Sequence, residues 1–147
     1  MSPLNRQTLS DSIAELMPNI IQGVHIGFLA KKKLTHTQFF VLAAIHSQGK
    51  PAMRTLSDNL QVSMPTMSGI VERLVRGGYA RRVTDTEDRR QVRVELTPQG
   101  RSIISQFQQA ASRRWQDVLL ALRQDEIELF GNVVTKLLNS LKKPRPS

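Results

Sequence analysis

Five arginines fall in one short stretch of this 147-residue chain: Arg81, Arg82, Arg89, Arg90 and Arg93. Just before them stand Ser63, Pro65, Thr66, Ser68, Gly69, Arg73 and Arg76. Guanidinium forks and small hydroxyls suit hydrogen bonding and charge pairing with a polyanion, because the planar fork matches phosphate oxygens and guanine edges. Two carboxylates, Asp85 and Asp88, interrupt the basic run. DNA would repel them, so their expected role is architectural: capping the turn and pinning neighbouring arginines. A solvated hairpin is the plainer reading, but it crowds five like charges together without a partner.

Such residues need a rigid frame. Ser63 is a good N-cap, and Pro65 falls in the first turn, where a missing N–H breaks no helical bond. Met67, Ile70, Val71 and Leu74 recur at i, i+3, i+4 and i+7 and predict one buried stripe. Thr66, Ser68, Gly69, Glu72, Arg73 and Arg76 then occupy the outer face, and Gly77 and Gly78 are expected to end the helix in a left-handed turn. Two strands follow, Tyr79–Val83 and Gln91–Leu96, with Thr84–Arg90 as a charged tip. In the second, Val92, Val94 and Leu96 alternate with Gln91, Arg93 and Glu95, which predicts a half-buried strand with the charges outward.

Upstream, Thr35 caps a helix through Ile45 whose inner residues are Phe39, Leu42 and Ile45; Gln48–Pro51 is a loop; and Arg54–Leu60 is a short helix. The tight step from Leu60 to Ser63 makes a helix-turn-helix. The fold class is therefore mainly α with a small β-hairpin wing: a winged helix-turn-helix with N- and C-terminal dimerisation helices. Its reading helix suits a major groove and its wing the adjoining minor groove. Arg73 and Arg76 are candidates for phosphate or guanine, and Thr66 and Ser68 for base edges or phosphate. Ser63 either touches a phosphate or only caps. Gly69 allows either a close backbone approach to DNA or simple tight packing.

The termini are expected to form further helices. Leu9, Ile13, Leu16, Met17, Ile20, Ile21, Val24 and Phe28 fit one amphipathic helix, although Pro18 predicts a kink or two helical pieces. Lys31–Lys33 closes that helix, either in solvent or on phosphate. Ile104, Phe107, Ala111, Trp115, Val118 and Leu122 form one C-terminal stripe, and Ile127, Phe130, Val134, Leu137 and Leu141 another. These stripes exceed what the small reading unit can cover, so a symmetric homodimer is expected, with a monomeric bundle as the alternative. The division is 1–33 for an N-terminal dimerisation helix, 34–100 for the DNA-binding domain, and 101–147 for C-terminal dimerisation helices ending in a disordered tail from Lys142.

The totals agree. Lys and Arg number 21 against 12 Asp and Glu, for a net charge of +9, and 14 of the cations are arginine. Without cysteine there is neither a disulfide nor a thiolate metal site. His25, His36 and His46 have no carboxylate cluster beside them in sequence, so neither a metal nor a cofactor is expected. No nucleophile elbow, phosphate-cradling glycine loop or paired metal motif supports an enzyme. No secretory signal and no apolar run of about 18 residues is apparent, so a cytoplasmic protein with no membrane partner is expected.

The segment from Leu34 to Gly100 resembles the MarR family of transcriptional regulators. The matching residues are Leu34-Thr35, Gln38-Phe39, Leu42, Leu56, Leu60, Val62-Ser63, Pro65-Thr66, Gly69-Ile70-Val71, Arg73-Leu74 and Gly78. Asp85, Asp88, Arg89 and Arg90 continue the match in the wing, and Leu96-Thr97-Pro98 and Gly100 beyond it. The resemblance implies a homodimer on a palindromic operator, probing the minor groove with Arg90, where Arg89 shares that role or holds a phosphate. It also implies regulation by a small phenolic or anionic effector between the dimerising helices and the winged domain, where His25, Phe28 and Phe39 are candidate lining residues. A nonspecific architectural DNA binder and a winged-helix interaction module are the alternatives.

Overall fold

A computed structural model describes residues 4–142. Eight elements follow in order: α1 (Arg6–Lys32), α2 (His36–Gln48), α3 (Met53–Leu60), α4 (Met64–Arg76), β1 (Ala80–Thr84), β2 (Val92–Leu96), α5 (Pro98–Leu119) and α6 (Gln124–Lys142). They form two compact units, one through Ala111 and one from Ser112. The fold is mostly helical with one two-stranded antiparallel hairpin, the winged helix-turn-helix expected from the sequence. Lys142 completes α6, so the expected tail does not begin there; residues 143–147 of that tail lie outside the described residues.

In the first unit, α1 starts on a capping box in which Asn5 and Thr8 exchange bonds of 2.9 and 3.0 Å. It ends on Lys33, whose left-handed backbone (φ 54°) lets the Lys33 and Leu34 amides reach Ala30 and Leu29. The helix is continuous through Pro18, so the two-piece expectation fails. Pro18 removes the N–H that would reach the Ala14 carbonyl, and the helix carries that loss without breaking; nearby, the Asn19 side-chain amide donates to the Glu15 carbonyl at 3.0 Å. No unbroken apolar run of about 18 residues occurs in α1, since Pro18, Asn19, Gln22 and His25 interrupt it. Even so, α1 is long and apolar enough to cross a bilayer by length and composition alone. Yet Ile20, Val24, His25 and Leu29 are buried within the fold, while Leu9, Ile13, Leu16, Met17 and Ile21 remain exposed.

The core sits between α2, α3, α4 and the hairpin. Thr35 and Gln38 form the capping box of α2, which buries Phe39, Val41, Leu42 and Ile45. Leu42, Ile45, Leu56, Met67, Val71, Leu74 and Val94 are fully buried, and each such side chain contributes about 1.5–3 kcal/mol. Between α3 and α4, Gln61 takes a left-handed conformation (φ 52°). Buried Ser57 locks this turn twice: its hydroxyl donates to the Val62 carbonyl at 2.5 Å, and its carbonyl accepts the Val62 amide at 3.1 Å.

Ser63 caps α4, accepting the Thr66 amide at 3.3 Å, and Met67, Ile70, Val71 and Leu74 are buried as their spacing predicts. Gly78 alone carries the left-handed turn (φ 78°); Gly77 is right-handed (φ −73°), so only one of the two glycines ends the helix in the expected way. The Thr97 hydroxyl, at the head of α5, donates to the Gly78 carbonyl at 2.5 Å and accepts the Gly100 amide at 3.1 Å. Gly100 is required by close approach, since a Cβ there would collide with the Tyr79 carbonyl oxygen.

In the second unit, the chain turns after α5, and Asp125 and Glu126 occupy the first turn of α6, where the helix dipole favours acids. No residue of α6 is buried. Leu129, Leu137, Leu138 and Leu141 are all more than half exposed.

Candidate nucleic-acid interface

The outer face of α4 is open: Ser63, Pro65, Thr66, Ser68, Gly69, Arg73 and Arg76 are all exposed. Beside it the hairpin pairs Ala80 with Leu96 through Thr84 with Val92. The Val94 amide donates to the Pro51 carbonyl at 3.0 Å, and Ala52 bridges Arg93, so the loop before α3 braces β2.

Three wing arginines are committed to this frame. Arg81 donates to Glu95 at 2.6 Å, and Lys50 pairs with the other oxygen of that carboxylate at 3.0 Å. Arg82 donates to Glu72 on α4 at 2.8 Å, and Arg76 meets the same side chain at 3.3 Å. Arg93 donates to Asp85 at 2.9 Å and to the Lys50 carbonyl at 2.9 Å. Each carboxyl is held below its ordinary range. For Glu72 the main cause is the hydrogen bond from Arg82, for Asp85 the Glu87 amide and then Arg93, and for Glu95 Lys50 and then Arg81.

These pairs explain a departure in β2. Glu95 is buried, whereas Val92 at the strand's outer end is exposed, so at both residues burial departs from the expected half-buried pattern. The carboxylate stays on the face of its cross-strand partner Arg81, where that residue and Lys50, far away in sequence, cover and neutralise it.

At the tip, Asp85 accepts the Glu87 amide and Asp88 the Arg90 amide, both at 3.0 Å. Thus Asp85 pins an arginine side chain, that of Arg93, while Asp88 meets only the Arg90 backbone. Among the described residues, Arg73, Arg89 and Arg90 have no carboxylate within 4.0 Å. Ser68 and Met64 of α4 share a cleft of about 620 Å³ with Arg90 of the wing and Arg54 of α3. Sequence spacing does not single out Arg54; in α3 it marks only an outward position.

The three effector candidates also meet. His25 is buried and stacks on His36 (centroids 5.4 Å, planes 7° apart), with Phe39 and Phe107 edge-on at 5.5 and 4.9 Å. Phe28 joins through Phe107 at 5.7 Å. Among the described residues, the buried His25 Nδ1 has no hydrogen-bond partner. Burial, and secondarily the neighbouring His36, push the His25 pKa below its ordinary value. Phe107 and His36 complete a cluster that α1 and α2 periodicity alone could not assemble. No group of three or more metal-ligating side chains occurs among the described residues.

The MarR family's sequence profile matches residues 34–92. The chain is 30% identical to the multiple antibiotic resistance protein MarR of Salmonella typhimurium, an alignment covering 76% of this chain and 78% of that protein. In fold it is similar to the transcriptional regulator Tm0710 of Thermotoga maritima (TM-score 0.81, 22% identity, covering 93% and 96% of the two chains). It is also similar to a point mutant of S. aureus MepR bound to an oligodeoxyribonucleotide (TM-score 0.66, 23% identity, covering 95% and 99%).

Proposed function

The chain belongs to the MarR family, making it a transcription regulator with a DNA-binding fold rather than an enzyme, and on that premise we propose that it is a repressor binding a palindromic operator as a homodimer. The observation that carries this reading is the cleft in which α4 and the wing arginine Arg90 face the same space. Thr66, Ser68, Arg73 and Arg76 enter the major groove, with Ser63 and Pro65 at the leading turn and Gly69 allowing close approach. Arg90, with Arg89, reaches the minor groove, whose narrow stretches concentrate negative potential. Asp85 and Asp88 shape the wing tip. The fold of the oligonucleotide-bound MepR mutant supports the duplex as partner.

The apolar residues left open on α1 and α6 are assigned to a second copy rather than to a membrane, and the protein to the cytoplasm. Two reading heads then address half-sites about 34–36 Å apart. The aromatic cluster around the unpartnered His25 Nδ1, with Phe28 and Phe39, is assigned to a phenolic or anionic effector. Such a ligand acts only by binding DNA-competent and incompetent arrangements unequally.

Selection of bound fragments from genomic DNA, followed by competition against bulk DNA, tests the reading. An inverted repeat whose complex survives excess bulk DNA is expected. A complex titrated away by bulk DNA indicates an architectural protein, and no complex even in dilute salt indicates an interaction module. A thermal-shift series with phenolic acids tests the effector site; a flat response removes it.

A further inference from the structure

We propose that the cleft between α3, α4 and the wing seats a phosphodiester segment of the bound strand, with Arg54 as its backbone contact, while Arg90 of the same lining continues to the minor groove. The inference rests on the DNA-binding reading above and adds a residue and a role to it.

The cleft is strongly basic in composition: Arg54, Arg82, Arg90 and Arg93 line it, against the single carboxylate of Asp58. Two of these arginines are already neutralised, Arg82 by Glu72 and Arg93 by Asp85. The remaining two are not: among the described residues neither Arg54 nor Arg90 has a carboxylate within 4.0 Å, and Asp58, one helical turn beyond Arg54, lies outside that distance. Arg54 and Arg90 line a cleft whose one carboxylate, Asp58, pairs with neither, so an anion seated there is attracted by both. Thr55 and Ser68 in the same lining add hydroxyls that donate to phosphate oxygens as readily as to water.

The position of Arg54 favours phosphate over a base edge. It belongs to the first helix of the helix-turn-helix, the one that crosses the backbone while its successor enters the groove. Its register is also fixed, because buried Ser57, three residues on, bonds the Val62 backbone and ties α3 to the start of α4. Arg54 therefore sits at a set distance from the reading helix rather than on a loose arm.

The test is the salt dependence of duplex binding by the full chain, comparing wild type with Arg54→Ala, Arg54→Lys and Arg113→Ala, the last an exposed arginine outside the cleft. Melting temperatures establish that each variant folds. Arg54→Ala should reduce the log–log slope by about 1 per protomer and weaken specific and bulk DNA alike. Arg54→Lys should retain the slope, and Arg113→Ala should match wild type. Wild-type slope in Arg54→Ala, or a slope in Arg54→Lys as low as in Arg54→Ala, overturns the phosphate assignment while leaving the DNA-binding reading intact. If wild type itself binds no duplex in dilute salt, that reading fails and takes this one with it.

Discussion

The Glu72 carboxylate of the reading helix and the Arg82 guanidinium of the wing meet at 2.8 Å, joining the two surfaces proposed to flank one DNA strand. An acid on the outer face of such a helix would oppose DNA binding unless it served to hold cations in place. Glu72→Gln should therefore separate two quantities. Affinity for bulk DNA should rise, because Arg76 and Arg82 lose their counter-charge, while the ratio of specific to bulk binding should fall as the wing loses its anchor. Competition titrations measure both, and an unchanged ratio would show that the pair does not position the wing.

Arg90 has no carboxylate partner among the described residues, and its amide is held by Asp88 at 3.0 Å. Arg90→Ala should weaken operator binding by about 1–3 kcal/mol and leave the melting temperature unchanged. Operator affinity equal to wild type at moderate salt removes the residue from the interface.

Leu137 of α6 is 54% exposed within the described chain. If a second copy covers it, Leu137→Asp places a charge in that interface without disturbing a buried core. Sedimentation should then report a dimer for wild type and a monomer for the variant. A variant that stays dimeric places the interface elsewhere.

His25 gives the fold a specific acid sensitivity. Its folded pKa is depressed from an ordinary 6.5 by burial and by His36, so the unfolded chain binds the proton more readily. The stabilisation is complete above pH 6.5 and is lost as pH falls from there through the folded value. The depressed carboxyls of Glu72, Asp85 and Glu95 act in a lower window, below their ordinary 3.8–4.5. Melting temperatures between about pH 7.5 and 5 should thus fall for wild type and fall less for His25→Phe; equal slopes would assign the sensitivity to another group.

Gly100→Ala should be the most destabilising of these changes, by about 3 kcal/mol, since its new methyl meets backbone rather than a movable side chain. Urea unfolding provides the comparison. A loss below about 1 kcal/mol would show that the start of α5 yields easily.

The sequence made the local features legible. Ser63 as a cap, Pro65 in the first turn and the Met67–Leu74 stripe all follow from interactions within a few residues, and the structure contains each. What it concealed depends on distant partners. Period-2 reasoning leaves Glu95 open to solvent because nothing nearby discloses that Lys50 covers it, and it counts five wing arginines alike although Glu72, Asp85 and Glu95 engage three of them. Pro18 carries too much weight in a sequence reading, because proline's local cost does not by itself end a helix as long as α1. Arg54 escapes notice for a similar reason: a single outward arginine on a short helix gains significance only from the cleft it shares with Arg90.

The joint at Thr97 bears on how the molecule transmits motion. One hydroxyl clasps the end of the reading helix through Gly78 and the first turn of α5 through Gly100, and Tyr79 is wedged too closely against that turn for slack. The turn that ends α4 and the head of α5 thus share one hydroxyl as their hinge pin, so neither can shift without the other losing a hydrogen bond.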